Sequence, residues 1–242
     1  MGLVPEGIEY HLGSLPTPLL MTWVAWAVIA GISITAAKRA RLVPGKLQMA
    51  CEMCFSYVYR LSDEMIGPAA PHYYPLFLGI FISILVSNLL GLIPGLISPT
   101  SDPNTTFALS ILVFLYYNIE GVRRKGAGYF RHFFGPPLPW YLFPVRILLF
   151  IIETISSFAR PFSLGFRLFC NIFAKEMLLG FLAFLVVSFF LSPGIIVKTL
   201  TLMPLMLRPV IVLLGLFIGV IQALIFLLLS ISYVAGAIGT EE

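Results

Sequence analysis

The chain has 242 residues, of which 59% are hydrophobic and 11% are charged. A soluble globular domain carries about 25% charged residues, so this composition excludes an ordinary soluble domain and predicts a membrane protein. The formal net charge of +4 is small and lies in short loops, which argues against a nucleic-acid-binding surface.

The first apolar stretch follows an acidic N-terminal segment. Glu6 and Glu9 precede it without any Lys or Arg, the reverse of the basic region that begins a signal peptide. We predict a first membrane span over residues 17–37. Basic residues follow it at once, Lys38, Arg39 and Arg41. By the positive-inside rule this end is cytoplasmic, and the N-terminus faces outward.

The next segment, 46–66, has the apolar period of a helix with two distinct faces. One face is polar and carries Gln48, Glu52, Ser56, Arg60 and Asp63. This face is too charged for hydrocarbon, so the pattern predicts an amphipathic helix at the cytoplasmic membrane surface. A helix docked on the surface of a partner protein is the alternative.

A transmembrane hairpin is predicted from the spans 73–97 and 106–119, joined by a turn-rich stretch at 98–105. The two loops assigned inside, 38–46 and 120–131, hold four Lys or Arg each, whereas 98–105 holds none. This asymmetry predicts that the tip of the hairpin faces outward.

The C-terminal half consists of two long apolar runs, 145–190 and 195–235, separated by a Ser-Pro-Gly break. A single helix of the first run would be about 69 Å long, whereas the hydrocarbon core is about 30 Å thick. Either the run breaks into two spans near Pro161, or it lies strongly tilted. A strongly tilted helix implies a partner subunit, because ordinary tilts average about 20°.

Charged residues recur at intervals of seven in the first long run, at Arg146, Glu153, Arg160 and Arg167. This spacing places them near one helix face. Charges in a bilayer cost about 2.5–3.5 kcal/mol each and usually face a cavity, a partner or an ion path. The simpler interpretation is that Arg146, Arg160 and Lys198 extend to the membrane surface, with a structural Glu153–Arg160 pair.

Residues 160–176 read RPFSLGFRLFCNIFAKE. This run resembles the pattern R-P-x-S-L-x-x-R-L-F-x-N-x-x-A-x-E of subunit a of F-type ATP synthases. Three further stretches resemble the same family: VPGKLQ at 43–48, NLLGLIPG followed by PTSDPNTT at 88–106, and QALIF at 222–226.

The resemblance implies a non-catalytic stator subunit that couples proton or sodium flow to ATP synthesis. Arg167 would be the essential arginine that faces the ion-binding carboxylate of the rotor ring. Two aqueous half-channels would be lined by Asn171, Glu176, Gln222 and Asn88. Glu153, Arg160 and Lys175 would support them.

The implied fold is an all-α polytopic membrane protein. It forms a single membrane domain over 1–242, which ends in a hairpin of two long tilted helices. The implied partners are the ring of c subunits, the peripheral-stalk b subunits and membrane lipid, with no nucleic acid. The implied location is the inner membrane of a bacterial cell.

Two positions depart from the family pattern. Lys175 stands where many members have a small residue, and Gly215 stands where some carry a second ionisable residue.

The alternative function is a standalone ion-coupled secondary transporter, which would predict internal repeats that the sequence lacks. We expect no metal or other cofactor, because the three cysteines and three histidines form no recognisable ligand cluster.

Overall fold

A computed structural model describes residues 17–38, 45–93, 96–126, 128–129, 143–192 and 194–239. These residues form seven α-helices and two short 3₁₀ turns, at Gly67–His72 and Pro99–Ser101. The helices are α1 (Thr17–Lys38), α2 (Lys46–Ile66), α3 (Tyr74–Leu90), α4 (Pro103–Lys125), α5 (Phe143–Leu191), α6 (Ile195–Leu200) and α7 (Leu202–Ile238). The fold described is therefore all-helical, as the sequence predicts.

Local sequence explains where several helices begin and end. Pro103 occupies the first position of α4, where its missing N–H costs nothing. The basic last turn of α4 complements the negative end of the helix dipole. Gly126 follows with a φ of 56°, and its N–H donates to Val122 O at 2.8 Å. Glycine adopts this left-handed conformation without strain, so it caps the helix.

Two predicted helix boundaries differ from the structure. The span predicted over 73–97 ends at Leu90, and Gly91–Ile93 form turns. Ser98 then returns to Gly91 so closely that a Cβ at Gly91 would lie 2.6 Å from Ser98 Cβ. The prediction over 106–119 was too short, because α4 extends from Pro103 to Lys125. Predicted loop residues 39–44 and 131–142 lie outside the described residues.

Helix α5 is unbroken over 49 residues, although Pro161 lies inside it. At 1.5 Å per residue its length is about 73 Å. Of the two alternatives that the sequence left open, the break into two helices near Pro161 is therefore wrong. The tilt of α5 relative to a membrane stays a prediction.

Three helical stretches in the described parts of the chain are long and apolar enough to cross a membrane: Pro103–Lys125, Val145–Leu191 and Val197–Ile238. A fourth is possible if α2 and α3, which meet at 119°, count as one bent span. These lengths and compositions are those of a polytopic membrane protein. The outward N-terminus and the cytoplasmic position of α2 stay predictions.

The chain divides into two compact units. The first comprises Met1–Gln48, Ile82–Asp102 and Leu168–Ala223. Its buried apolar side chains include Ile84, Leu168 and Ile172. Helix α1 packs on the Pro99–Ser101 turn, with Ala25 buried and Trp23 68% exposed.

The second unit comprises Met49–Phe81, Pro103–Arg167 and Leu224–Glu242. Its core is formed by side chains from α2, α3, α4, α5 and α7, among them Val58, Phe77, Val113, Leu164 and Phe226. Aromatic rings reinforce this packing, since Phe107 of α4 lies edge-on to Phe162 and Phe166 of α5.

Candidate functional site

Polar side chains concentrate inside the first unit, where α3 meets α7. Asn88 is buried, and its side-chain Nδ2 donates to the backbone oxygen of Gly219 at 3.0 Å. Gly219 permits this approach, because a Cβ there would lie 3.2 Å from Asn88 Cβ. A buried amide needs such partners, so this contact fixes the side chain of Asn88.

Two hydroxyl groups continue this network. Thr100 Oγ1 lies 2.9 Å from Asn88 Oδ1, and 2.7 Å from Ser98 Oγ. Ser98 Oγ lies 2.9 Å from the backbone oxygen of Ser87. Ser98 and Thr100 are fully buried. The segment after α3 is therefore tied to α3 by side-chain hydrogen bonds.

Glu176 of α5 meets the same segment. The backbone N–H of Ser98 donates to Glu176 Oε1 at 2.9 Å. The side chain is half-buried, and within the described residues it forms no ion pair. A partly buried carboxylate without a cation partner is a candidate for reversible ion binding.

Lys175 is buried although it bears an amino group, and it does not pair with the adjacent Glu176. Its Nζ lies 3.5 Å from the backbone oxygen of Gly91. Gly215 of α7 provides the space for the lysine chain, since a Cβ there would lie 2.7 Å from Lys175 Cδ. The two departures from the family pattern, at positions 175 and 215, are thus in contact.

Asn171 and Gln222 form a second polar contact between α5 and α7. Asn171 Nδ2 donates to Gln222 Oε1 at 3.0 Å. Gln222 is only 2% exposed, and among the described residues its Nε2 has no hydrogen-bond partner. A buried amide with a free donor is unusual in a packed core and is suited to a site visited by water, which can accept from it.

The second unit contains the remaining predicted residues. Arg160 Nη2 lies 3.3 Å from Glu153 Oε1, so the structural pair suggested by the sequence is present. The guanidinium of Arg160 also lies over the ring of Tyr233, 5.7 Å from its centroid. This arginine is therefore neutralised and covered within its own unit.

Arg167 has different surroundings. It is exposed on α5 and forms no hydrogen bond or ion pair in the part of the chain that the structure describes. On the neighbouring face of α5 the large side chains Phe162 and Phe166 are exposed, and Ser163 is exposed on the same face as Arg167. A guanidinium on such a face needs an anionic partner when the face is covered by lipid or protein.

The structure thus groups five predicted residues within the first unit: Asn88, Asn171, Lys175, Glu176 and Gln222. Sequence reasoning missed Ser87, Ser98 and Thr100, because a Ser-Pro-Thr stretch between two spans has the composition of a surface turn. Among the described residues, no three His, Cys, Asp or Glu side chains are grouped to hold a metal ion.

Comparison with known proteins decides the family. The family described as "ATP synthase A chain" matches residues 19–235. This chain belongs to the ATP synthase A chain family. It is 39% identical to ATP synthase subunit a 2 of Syntrophotalea carbinolica over 217 residues, which covers 90% of this chain and 83% of that protein.

Other relatives belong to the same family. The chain is 38% identical to ATP synthase subunit a 1 of the same organism, over 96% of this chain and 89% of the relative. It is also 38% identical to ATP synthase subunit a of Sulfurihydrogenibium sp., over 93% and 98%. As a member of the ATP synthase A chain family, this chain is a membrane protein of ATP synthesis and ion transport.

Proposed function

We propose that this chain is the ion-translocating stator subunit of a rotary F-type ATP synthase. It would provide two aqueous half-channels that load and unload a carboxylate on a rotor ring of c subunits. Proton or sodium flow through these paths would be coupled to ATP synthesis. The chain itself would carry no nucleotide chemistry, and it would be held by peripheral-stalk b subunits in a bacterial inner membrane.

The observation that carries this proposal is the exposed guanidinium of Arg167, which has no anionic partner among the described residues and stands on a long apolar helix. Lipid alone would leave that charge without a partner, at a cost of about 2.5–3.5 kcal/mol or more. A carboxylate presented by a neighbouring membrane subunit would remove the cost. Arginine suits this contact because a guanidinium stays protonated after desolvation, so the charge persists.

A permanent positive charge at Arg167 would separate the two half-channels. It would attract a ring carboxylate that has lost its ion and repel a cation that remains bound. Each carboxylate would then have to release its ion before passing Arg167 and take up another afterwards. Direct leakage of ions past this point would be blocked by the same charge.

The polar cluster of the first unit would line one of these paths. Asn171 and Gln222 would present amide groups toward it, and Glu176 would exchange the ion. Asn88 would shape the wall, and Lys175 would contribute a further charge. In the second unit, the Glu153–Arg160 pair would support α5 rather than carry the ion, since Arg160 is already neutralised.

The test is ATP-driven ion pumping in inverted membrane vesicles that contain the assembled complex. Uptake is followed with a pH-sensitive dye and with radioactive sodium in parallel, which also identifies the ion. We expect Arg167→Ala to reduce pumping to background while the other subunits remain assembled. Arg167→Lys should also lose most pumping, because a lysine can lose its proton on desolvation.

The control is Arg60→Ala, which removes an arginine that is 74% exposed and paired only with Glu64 on the surface of α2. Exposed pairs of this kind contribute little, so pumping should stay near wild type. Pumping near wild type in an assembled Arg167→Ala complex would overturn the proposal. Ion transport driven by an ion gradient in liposomes that contain the purified chain alone would instead support a standalone transporter.

A further inference from the structure

The hydrogen bond between Ser98 and Glu176 joins the segment after α3 to the middle of α5. Its donor is a backbone N–H and its acceptor is Oε1 of the carboxylate, 2.9 Å away. We propose that Ser98 is a positioning residue for the ion path, which holds the Glu176 carboxylate in one orientation. This inference rests on the proposed function, because it concerns the residue that would exchange the ion there.

The type of donor matters. A backbone amide does not ionise near neutral pH, so it can orient a carboxylate but cannot relay a proton to it. Oε1 is thereby occupied by a permanent donor. Within the described residues Oε2 has no hydrogen-bond partner, so it remains available for the exchanging ion. Oε1 is held by the N–H of Ser98, and Oε2 exchanges the ion.

Ser98 is itself held rigidly. Its hydroxyl contacts the backbone oxygen of Ser87 at 2.9 Å and the hydroxyl of Thr100 at 2.7 Å. Its Cβ lies against Gly91, where only a glycine leaves room. Because these contacts lead back to α3 and Asn88, the N–H has a fixed direction. The same bond geometry would not survive in a freely moving loop.

The backbone angles of Ser98 allow a sharp experiment. They are φ −67° and ψ 132°, which are values that proline adopts without strain. Ser98→Pro therefore removes the N–H donor without straining the backbone angles of residue 98 itself. Ser98→Ala removes the hydroxyl and keeps the N–H. The difference between the two variants isolates the bond to Glu176.

ATP-driven pumping in inverted vesicles is measured for both variants beside Glu176→Gln. We expect Ser98→Ala to pump within about threefold of wild type, because it loses only the neutral hydroxyl contacts to Ser87 and Thr100 and keeps the N–H donor to Glu176. Ser98→Pro should pump at least about tenfold less than Ser98→Ala, since a bond to a charged group is lost as well. Its pH dependence of pumping should also differ in shape from that of Ser98→Ala.

The outcomes are separable. Suppose that Ser98→Pro and Ser98→Ala pump equally and have equal pH profiles, while Glu176→Gln is inactive. This result would overturn the positioning role of Ser98 and leave the proposed function intact. A fully active Glu176→Gln complex would overturn the role of Glu176 itself. A second pair of variants tests the proposal if the Ser98→Pro complex assembles poorly. Thr100→Val should impair pumping in assembled complexes. Thr100→Ser should restore it, because only the serine keeps the hydroxyl. Failure of this restoration would contradict the proposal.

Discussion

Two carboxylates, Glu120 near the end of α4 and Glu176 in the second half of α5, have opposite surroundings. Glu120 is buried and accepts a hydrogen bond from Tyr73 Oη at 2.9 Å. Arg124 Nε lies 3.4 Å from its Oε1 and Arg123 Nη1 lies 3.8 Å from its Oε2. Among the described residues, Glu176 accepts a hydrogen bond from the N–H of Ser98 alone, and it is half-exposed.

The difference separates a structural carboxylate from one that can exchange an ion. Glu120 is saturated by donors, and Arg124 also covers the ring of Tyr73 at 5.7 Å from its centroid. Its charge is fixed in place and holds α4 against Tyr73, which precedes α3. Glu176 has an oxygen without a donor in the described residues, so in the proposed function this oxygen would bind and release a cation while the bond from Ser98 to Oε1 is kept.

The largest expected effect comes from neutralising each carboxylate in turn. Glu176→Gln should abolish ATP-driven pumping while this chain remains assembled, because an amide takes up no proton near neutral pH and lacks the negative charge that attracts sodium. Glu120→Gln should leave pumping within about twofold but lower stability by about 1–2 kcal/mol, since charge-assisted hydrogen bonds are weakened. Vesicle pumping and thermal denaturation of the purified complex measure the two effects.

These two variants are controls for each other. Loss of pumping in Glu120→Gln at normal subunit levels would contradict the structural role of Glu120. A larger loss of thermal stability in Glu176→Gln than in Glu120→Gln would contradict it as well.

An intermediate effect is expected from filling the space beside Lys175. A methyl group in Gly215→Ala would lie 2.7 Å from Lys175 Cδ and 3.3 Å from Leu92 Cδ2, so the lysine chain must shift. Pumping should fall about threefold to tenfold, and Gly215→Ala combined with Lys175→Ala should recover part of it. Gly236→Ala in the same helix is the control, because nothing lies within 4 Å of that position. Equal effects of both alanines would exclude the Lys175 contact as the cause.

The smallest effect is expected from removing the Tyr73 hydroxyl, which donates a hydrogen bond to Glu120. Tyr73→Phe removes a fully buried hydroxyl and should destabilise the complex by about 1 kcal/mol without changing pumping. The matched variant is Tyr74→Phe, whose hydroxyl bonds to the exposed Asp63 and should cost almost nothing. If the two variants melt alike, Tyr73 does not stabilise the second unit through Glu120.

Periodicity and composition predicted the helices well where one pattern dominated. The amphipathic segment 46–66 coincides with α2, because its apolar period and the preceding Pro-Gly leave little choice of boundary. The pair of Glu153 and Arg160 follows from two helical turns of separation. By contrast, Pro161 did not correctly predict a helix end, because α5 continues through it. The hydrogen bonds of the flanking turns outweigh the one that proline removes.

The candidate site was predictable only in part. Resemblance supplied the charged and amide residues, because their types and spacing form a dense pattern. It did not supply Ser98 and Thr100, since burial of a turn depends on chain segments about 80 residues away, such as Glu176. The contact of Lys175 with Gly215 likewise joins residues 40 positions apart in the chain, and no local pattern reports it.

The hydroxyl pair of Ser98 and Thr100 has two protons for three contacts, to Ser87, to Asn88 and between the two groups. In any arrangement one of the three contacts therefore lacks a proton. Moving a proton from one contact to another turns a hydroxyl dipole without moving any heavy atom, which gives this buried corner a local polarisability normally supplied by water.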